Sequence, residues 1–301
     1  MARFALLLLA WLVPVAAFAQ DLEPRRWTHL PVDSNVAGAS YLYTGGEVRL
    51  DPVLELEDVT VDSHTAVVSY LRTFGLLGTT GRLDFIVPVQ SNHWEGRVSG
   101  TPASRDIDGL GDPLVRLSIN LVGSPALAGA EYLQYRRSRP VHTIVGAALI
   151  GVLPLGEYDS DRLLNLGQNR FIFRPQLGVV HLRGPWSYEL TTSVDLFTDN
   201  DDFFGGNELE QDPVFAAQGH VVRTLASDWW VSVGAGYSTG GESTVNGVDK
   251  DDERRNLLAG FSLGFPIGAT QGLKLAYLHG ETLEDVGTDV DSVLLSWTIR
   301  F

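Results

Sequence analysis

Ser262 stands between two glycines in Gly260-Phe261-Ser262-Leu263-Gly264, the spacing that lets a nucleophilic serine sit on a strained turn between strand and helix. Such a serine needs an acid and then a histidine further along the chain. No Asp or Glu lies between Ser262 and His279, the last histidine, and the serine falls inside a run of alternating apolar and small residues. It therefore reads as a strand serine among small neighbours. The seven histidines (29, 64, 93, 142, 181, 220 and 279) do not pair at the spacings used by metal sites, and the chain has no cysteine. Thiolate ligands, disulfides and a cysteine nucleophile are thereby excluded, and neither a metal nor a cofactor is expected. One hydrolytic pair stays open: His220 and Ser232 could act on lipid if neighbouring strands brought them within hydrogen-bonding reach.

Gly109-Leu110-Gly111-Asp112 has the form of the catalytic aspartate motif of intramembrane proteases, but that motif works on transmembrane helices. Here it reads as a loop re-entering a sheet, with Asp112 and Pro113 marking a strand start. Gly234-Ala235-Gly236 is followed by neither the helix nor the ribose-binding acid of a dinucleotide loop. Two acidic stretches remain, one holding Asp199, Asp201, Asp202, Glu208, Glu210 and Asp212, the other Asp249, Asp251, Asp252 and Glu253. Neither has the glycine and distal glutamate of an EF-hand. They read as solvated loops that could also form a negative mouth or hold divalent ions beside lipopolysaccharide.

The elements that would position these groups are strands. In Trp186 to Leu196 every even position except Thr192 is bulky or apolar and every odd one is polar, a period of two. The same alternation runs through Leu83, Phe85, Val87 and Val89, through Val115, Leu117, Ile119 and Leu121, and through Leu257, Ala259, Phe261, Leu263 and Phe265. About twelve such segments are predicted, of the length that crosses a bilayer at a tilt. They fall near 38–48, 64–74, 82–91, 112–122, 141–153, 169–182, 186–197, 214–224, 229–239, 254–265, 272–280 and 289–301. Long links (49–63, 92–111, 154–168, 198–213, 240–253, 281–288) alternate with short ones (75–81, 183–185, 225–228, 266–271). Outer-membrane barrels sort their loops in this way, with tight periplasmic turns and longer external loops. The exception is 123–140, a longer periplasmic link in which 126–137 could form a surface helix. Tyr41, Tyr43, Phe74, Trp186, Trp229, Trp230, Tyr237, Tyr277 and Trp297 lie near strand ends, where aromatic girdles sit at headgroup level. Pro88 and Pro175 fall inside predicted strands and call for bulges or strand ends, because a closed barrel has no edge to accommodate a missing donor.

The chain ends agree. Arg3 supplies a positive start, residues 4–13 an apolar run and Ala17-Phe18-Ala19 a small-x-small site, so 1–19 reads as a cleaved signal peptide. At the other end Val293, Leu295, Trp297, Ile299 and Phe301 alternate up to a terminal aromatic, the form of a C-terminal signal read by the barrel assembly machinery. No later apolar run reaches the roughly 18 residues of a membrane helix; the nearest, 143–155, falls short. With 22 Lys+Arg against 37 Asp+Glu, nucleic acid is excluded as a partner. The expected fold is all-β: a transmembrane antiparallel up-and-down barrel of about twelve strands in a Gram-negative outer membrane. It would comprise a periplasmic segment or plug (20–37) and a barrel domain (38–301).

By parity Arg82, Asp84, Arg116, Asn120, Arg170, Arg174, Gln176, Glu189, Asp195, Gln218 and Lys274 should face the lumen. Three motifs, Gly109-Leu-Gly-Asp112-Pro113, Pro154-Leu-Gly-Glu-Tyr158 and Asn165-Leu-Gly167, together with terminal Phe301, resemble the barrel family described as putative MetA-pathway of phenol degradation. That resemblance implies a transporter-like barrel passing small hydrophobic or aromatic solutes, with no catalytic residues carried over. The expected partners are outer-membrane lipid and lipopolysaccharide, the assembly machinery and a small solute. A lipid hydrolase and a structural surface barrel with a filled lumen are the alternative readings.

Overall fold

A computed structural model describes residues 22–49, 56–98 and 100–301; the expected signal peptide lies outside the described residues. The strands in chain order are β1 (Asn35–Arg49), β2 (Leu56–Leu76), β3 (Thr79–Val98), β4 (Thr101–Leu110), β5 (Leu114–Val122), β6 (Val141–Val152), β7 (Ile172–Arg183), β8 (Trp186–Phe197), β9 (Asn200–Phe203), β10 (Asn207–Gln211), β11 (Val214–Thr224), β12 (Trp230–Gly240), β13 (Ser243–Val245), β14 (Val248–Asp249), β15 (Arg254–Ile267), β16 (Gln271–Thr282) and β17 (Gly287–Arg300). Helix α1 (Gly129–Ser138) lies between β5 and β6. The sheet runs β2-β1-β17-β16-β15-β12-β11-β8-β7-β6-β5-β3, and the β2–β3 pairing closes it into an antiparallel barrel of twelve strands. Closure removes every sheet edge, which is the condition for a sheet to exist in hydrocarbon.

Alternation sets which side faces lipid. Phe85, Leu117, Leu190, Phe261, Leu275 and Leu295 point outward, while their chain neighbours Asp84, Arg116, Glu189 and Ser262 are buried inside. Tyr41, Tyr43, Trp186, Trp229, Tyr237, Tyr277 and Trp297 are likewise on the outer surface. Trp230 differs: it lines the interior, covers Gly264, and carries the Arg25 guanidinium 5.3 Å from its ring centroid. The local reason is the 3-10 turn at Ala226–Asp228, which starts β12 with Trp230 in the inward register.

Several segments read as loops are strand. β2 and β3 extend through most of 56–63 and 92–98, and β4 pairs with the upper half of β3 while β5 pairs with its lower half. The link read as 281–288 shrinks to 283–286, and the acidic links 198–213 and 240–253 build a separate four-stranded sheet from β9, β10, β13 and β14. Both strand prolines sit at breaks in the ladder. Pro88 lies opposite the gap between β4 and β5, where Gly111 N donates to Pro88 O at 3.0 Å. The β7–β8 pairing is interrupted between Phe173 and Gln176, on either side of Pro175. Each missing donor thus falls where no partner strand needs it.

The N-terminal segment packs across the lumen. Leu22 lies over Gly260 beside Leu278, and Trp27 is buried with Ile144 and Val180 on the far wall. A Cβ at Gly146 or Gly178 would fall within the Trp27 indole, so these two glycines form its seat. Trp27 Nε1 donates to Thr191 Oγ1 at 2.9 Å, which satisfies the indole's one polar group. The chain then leaves past α1, where Tyr132 Oη donates to His29 O (2.9 Å) and Val32 N to Leu127 O (2.9 Å).

Trp27→Ala should cost about 3–5 kcal/mol, felt as loss of segment docking while the barrel stays closed. Trypsin cleavage after Arg25 and Arg26 in the detergent-solubilised protein should then become fast, with heat resistance of the barrel unchanged.

Candidate functional site: the lumen

Inside the barrel lies a cavity of about 870 Å³. One wall, formed by β1, β2, β16 and β17, presents Leu42, Val67, Leu71, Leu278 and Leu294. The inward face is therefore only partly polar, whereas strict alternation would make it wet throughout. The opposite wall carries charge. Around the cavity Arg25, Arg82, Arg116, Arg136, Arg174, Arg254 and Lys274 stand against Glu23, Asp84, Asp112, Asp195 and Asp228, seven cations to five carboxylates among the described residues. A solute inside meets apolar surface on the first wall and at Ile86, Leu114, Ile150 and Ile172 on the others, together with an excess of positive charge, most of it away from β1, β2 and β17.

The charges are organised in chains of ion pairs. Arg82 grips Asp84 through Nε (2.8 Å) and Nη2 (2.5 Å), and Arg116 Nε lies 3.4 Å from the same carboxylate. Arg116 Nη1 reaches Glu23 at 3.5 Å, and Glu23 also pairs with Arg26 at 3.3 Å. Arg26 Nη1 then donates to Gln176 Oε1 at 3.0 Å. Burial works to raise the Glu23 carboxyl, but Arg116 and Arg26, with Lys274 and Arg82 behind them, hold it well below the usual carboxylate range. Arg174 forms a second pair with Asp195, Nη2 to Oδ2 at 2.9 Å. The backbone joins in, with Arg25 N donating to Glu189 Oε2 (2.6 Å), Glu23 N to Gln218 Oε1 (3.2 Å) and Asn120 Nδ2 to Trp27 O (3.3 Å). The N-terminal segment is thus tied to five wall strands by groups that would otherwise be buried without partners.

The structure places ten of the eleven side chains read as inward on strands, and brings nine of those ten into this network or its hydrogen bonds; Lys274 lines the cavity as well. Arg170 is the exception in position. The strand predicted from residue 169 begins only at Ile172, so Arg170 belongs to the preceding loop, yet it is buried. His220 lies over Gly234 with Nε2 3.1 Å from Gln218 Oε1, and Ser232 stands opposite Val222 on β11 and Ser262 on β15. Val293, Leu295, Trp297 and Phe301 face outward along β17 and its end, and Ile299 is half-buried among them.

The three short motifs converge. The strand breaks at Gly111-Asp112-Pro113, and Asp112 accepts the amides of Gly156 (Oδ1, 2.9 Å) and Gln168 (Oδ2, 2.8 Å). Glu157 N donates to Leu110 O at 2.8 Å, and Gly167 N to Glu157 O at 2.9 Å. Gly156 and Gly167 approach so closely that a Cβ on either would meet the other's backbone and Asp112. Asp112 is therefore a latch that folds the 153–171 loop over the cavity, with Leu166 buried beneath it and Leu164 packed on a cluster of Val48, Val59, Val61, Trp94 and Val290. The sequence marks Asp112 only as a strand start. The signal that points to the latch is the presence of three glycine-containing motifs with Asp112 at the strand break in one of them.

Over residues 44–286 the chain matches the family described as "Putative MetA-pathway of phenol degradation". Among solved structures it is similar to the COG4313 outer membrane channel from Pseudomonas putida F1, at 21% identity and a TM-score of 0.77, covering 93% of this chain and 100% of that one. It is also similar to the transport unit of the autotransporter AIDA-I from Escherichia coli, at 9% identity and a TM-score of 0.53, covering 94% of both chains. No curated protein matches. The shared property of these structures is the outer-membrane barrel fold.

Two outcomes follow from the geometry. Asp112→Ala removes the acceptor of two buried amides, each worth about 1–3 kcal/mol, so hydrogen exchange at Gly156 and Gln168 should accelerate by roughly tenfold or more. At the other end, burial holds the His29 imidazole below its ordinary value, against the hydrogen bond to the Pro125 carbonyl that acts to raise it. Its folded value is depressed, so the stability it lends is complete above about pH 6.5 and is lost as pH falls through that range. Protease sensitivity of the N-terminal segment should therefore rise between pH 7 and pH 5 and stay flat in His29→Gln.

Proposed function

The chain belongs to the "Putative MetA-pathway of phenol degradation" family, and we propose that it is a passive outer-membrane channel for small hydrophobic or aromatic solutes. The observation that carries this reading is the mixed lining of the cavity: apolar side chains that an aromatic ring can follow, interspersed with fixed charges. Twelve strands make a tube wider than the eight that side chains alone can fill, and narrower than an open porin. The remaining space is reduced from below by the Glu23–Trp27 stretch and from above by the latched loop, so passage requires one or both to yield. In this reading the outward side chains contact outer-membrane lipid, the acidic outer sheet faces lipopolysaccharide, and the terminal strand carries the assembly signal.

Planar-bilayer recording and liposome swelling test this directly. The full-length protein should pass small ions and neutral aromatic solutes at low conductance, and deletion of residues 22–31 should raise conductance several-fold. Arg116→Gln should shift selectivity away from anions. A barrel that is folded but silent, with and without the N-terminal segment, would refute the channel reading and leave a structural one.

A further inference from the structure

Most of the lumen's arginines are matched: Arg82 and Arg116 by Asp84, Arg174 by Asp195, Arg26 by Glu23. Two at the upper end stand differently. Arg170, on the latched loop, is 3% exposed, and Arg254, the first residue of β15, is 9% exposed. Nε and Nη1 of Arg170 and Nε of Arg254 are buried with no hydrogen-bond partner. Leaving such donors unmet is costly, and more so when they carry charge.

Of the acids whose fields reach them, Asp199, Asp112 and Asp252, the last two also serve backbone amides. Both oxygens of Asp112 take backbone amides, and Asp252 Oδ1 accepts Ser243 N at 2.6 Å. Arg170 is nonetheless held in a fixed pose. Its Nη2 donates to Gln168 Oε1 (3.3 Å) and to Gln211 Oε1, Gln211 is anchored by Nε2 to Gly241 O (3.0 Å), and the guanidinium lies 4.6 Å over the Phe197 ring. Burial and the neighbouring Arg254 charge lower the Arg170 guanidinium to about 9, so it stays cationic at neutral pH beside Arg254. Arg254 lines the cavity and Arg170 stands behind it with Gln168, so an anion arriving from outside meets the Arg254 guanidinium under the added field of Arg170.

The surroundings define the rest of that anion. Arg254, Gln168 and Gln211 line the cavity beside Phe197, Ile172 and Leu258, so the donors end where an apolar surface begins. A hydrated dianion such as phosphate would leave most of its oxygens against hydrocarbon. An aromatic ring bearing a single carboxylate fits both halves. We propose that the upper lumen is a binding site for aromatic monocarboxylates, the carboxylate held at Arg254 beside the Arg170 charge and the ring lying on Phe197 and Ile172. The acidic outer loops do not prevent approach, since their field is screened beyond about 8 Å at physiological salt, and inside the cavity cations are in excess. This inference rests on the channel reading and names its solute class.

The test is 19F NMR of 4-fluorobenzoate and of neutral 4-fluorobenzyl alcohol on the full-length barrel in detergent, with channel currents recorded on the same preparation. The carboxylate should bind saturably and the alcohol much more weakly. R170Q and R254Q should each weaken carboxylate binding by about tenfold or more without changing the alcohol, and R170K and R254K, which keep the charge, should recover most of it. Equal binding of acid and alcohol, inorganic phosphate competing as well as benzoate, or glutamine variants with wild-type affinity would each overturn the site. Wild-type protein needs no substitution for the first two comparisons, so a variant that fails to fold leaves them standing. A preparation that conducts but does not bind the carboxylate refutes this site alone; one that binds but passes no current refutes the channel reading alone.

Discussion

Hydrocarbon offers no partner to a peptide group, so every strand in the bilayer must be bonded on both sides. The rest of the molecule is arranged around that demand. The β2–β3 pairing that closes the ring makes an inside and an outside, and the pleat then sends successive side chains to opposite faces. The outer face must be apolar, which leaves the inner face as the place where charged residues can be kept at membrane depth. Even the prolines obey: both sit where the ladder is already interrupted.

The same constraint creates a second problem inside. A twelve-stranded ring encloses more space than its inward side chains fill, and the arginines and acids within are largely shielded from water. The chain answers with its own N-terminal segment and one external loop. Glu23 and Arg26 complete pairs that the wall leaves open, and Trp27 fills the hollow above Gly146 and Gly178. Asp112 gives the loop its anchor by offering two oxygens to amides that would otherwise face the cavity unsatisfied. What remains empty is bounded by leucines, isoleucines and valines with guanidinium groups among them. Arg170 is held by Gln168, Gln211 and Phe197 and keeps buried donors that no hydrogen bond meets, as does Arg254.

Much of this is legible in the amino-acid sequence. Period-two alternation locates all twelve barrel strands, because the contrast between lipid and lumen is written into neighbouring residues such as Leu190 and Glu189. Alternation is a local signal, however, and fails where pairing decides. The extended hairpin of β3 and β4 buries only a few apolar side chains such as Trp94 among many polar ones, so its sequence resembles a loop. Trp230 reads as a girdle residue beside Trp229, since one residue of register at a turn is not encoded in composition. The latch is hidden for a different reason. Asp112 and the amides of Gly156 and Gln168 are far apart in sequence, and backbone donors leave no trace in side-chain identity.

Strand β3, at 20 residues, is far longer than the 9 to 11 that a tilted crossing requires. At about 3.3 Å per residue it runs for roughly 65 Å, so its upper half, flanked by β2 and β4, stands clear of the bilayer as a three-stranded fin on one side of the rim. Just along the rim, past β1, the β16–β17 turn is only four residues long (283–286), and the skyline there is low. The molecule therefore has a tall flank and a short one. In a crowded membrane, bulky neighbours can approach the low stretch closely while the fin holds them off beside it, giving a tube that is round in the lipid plane an uneven rim above it.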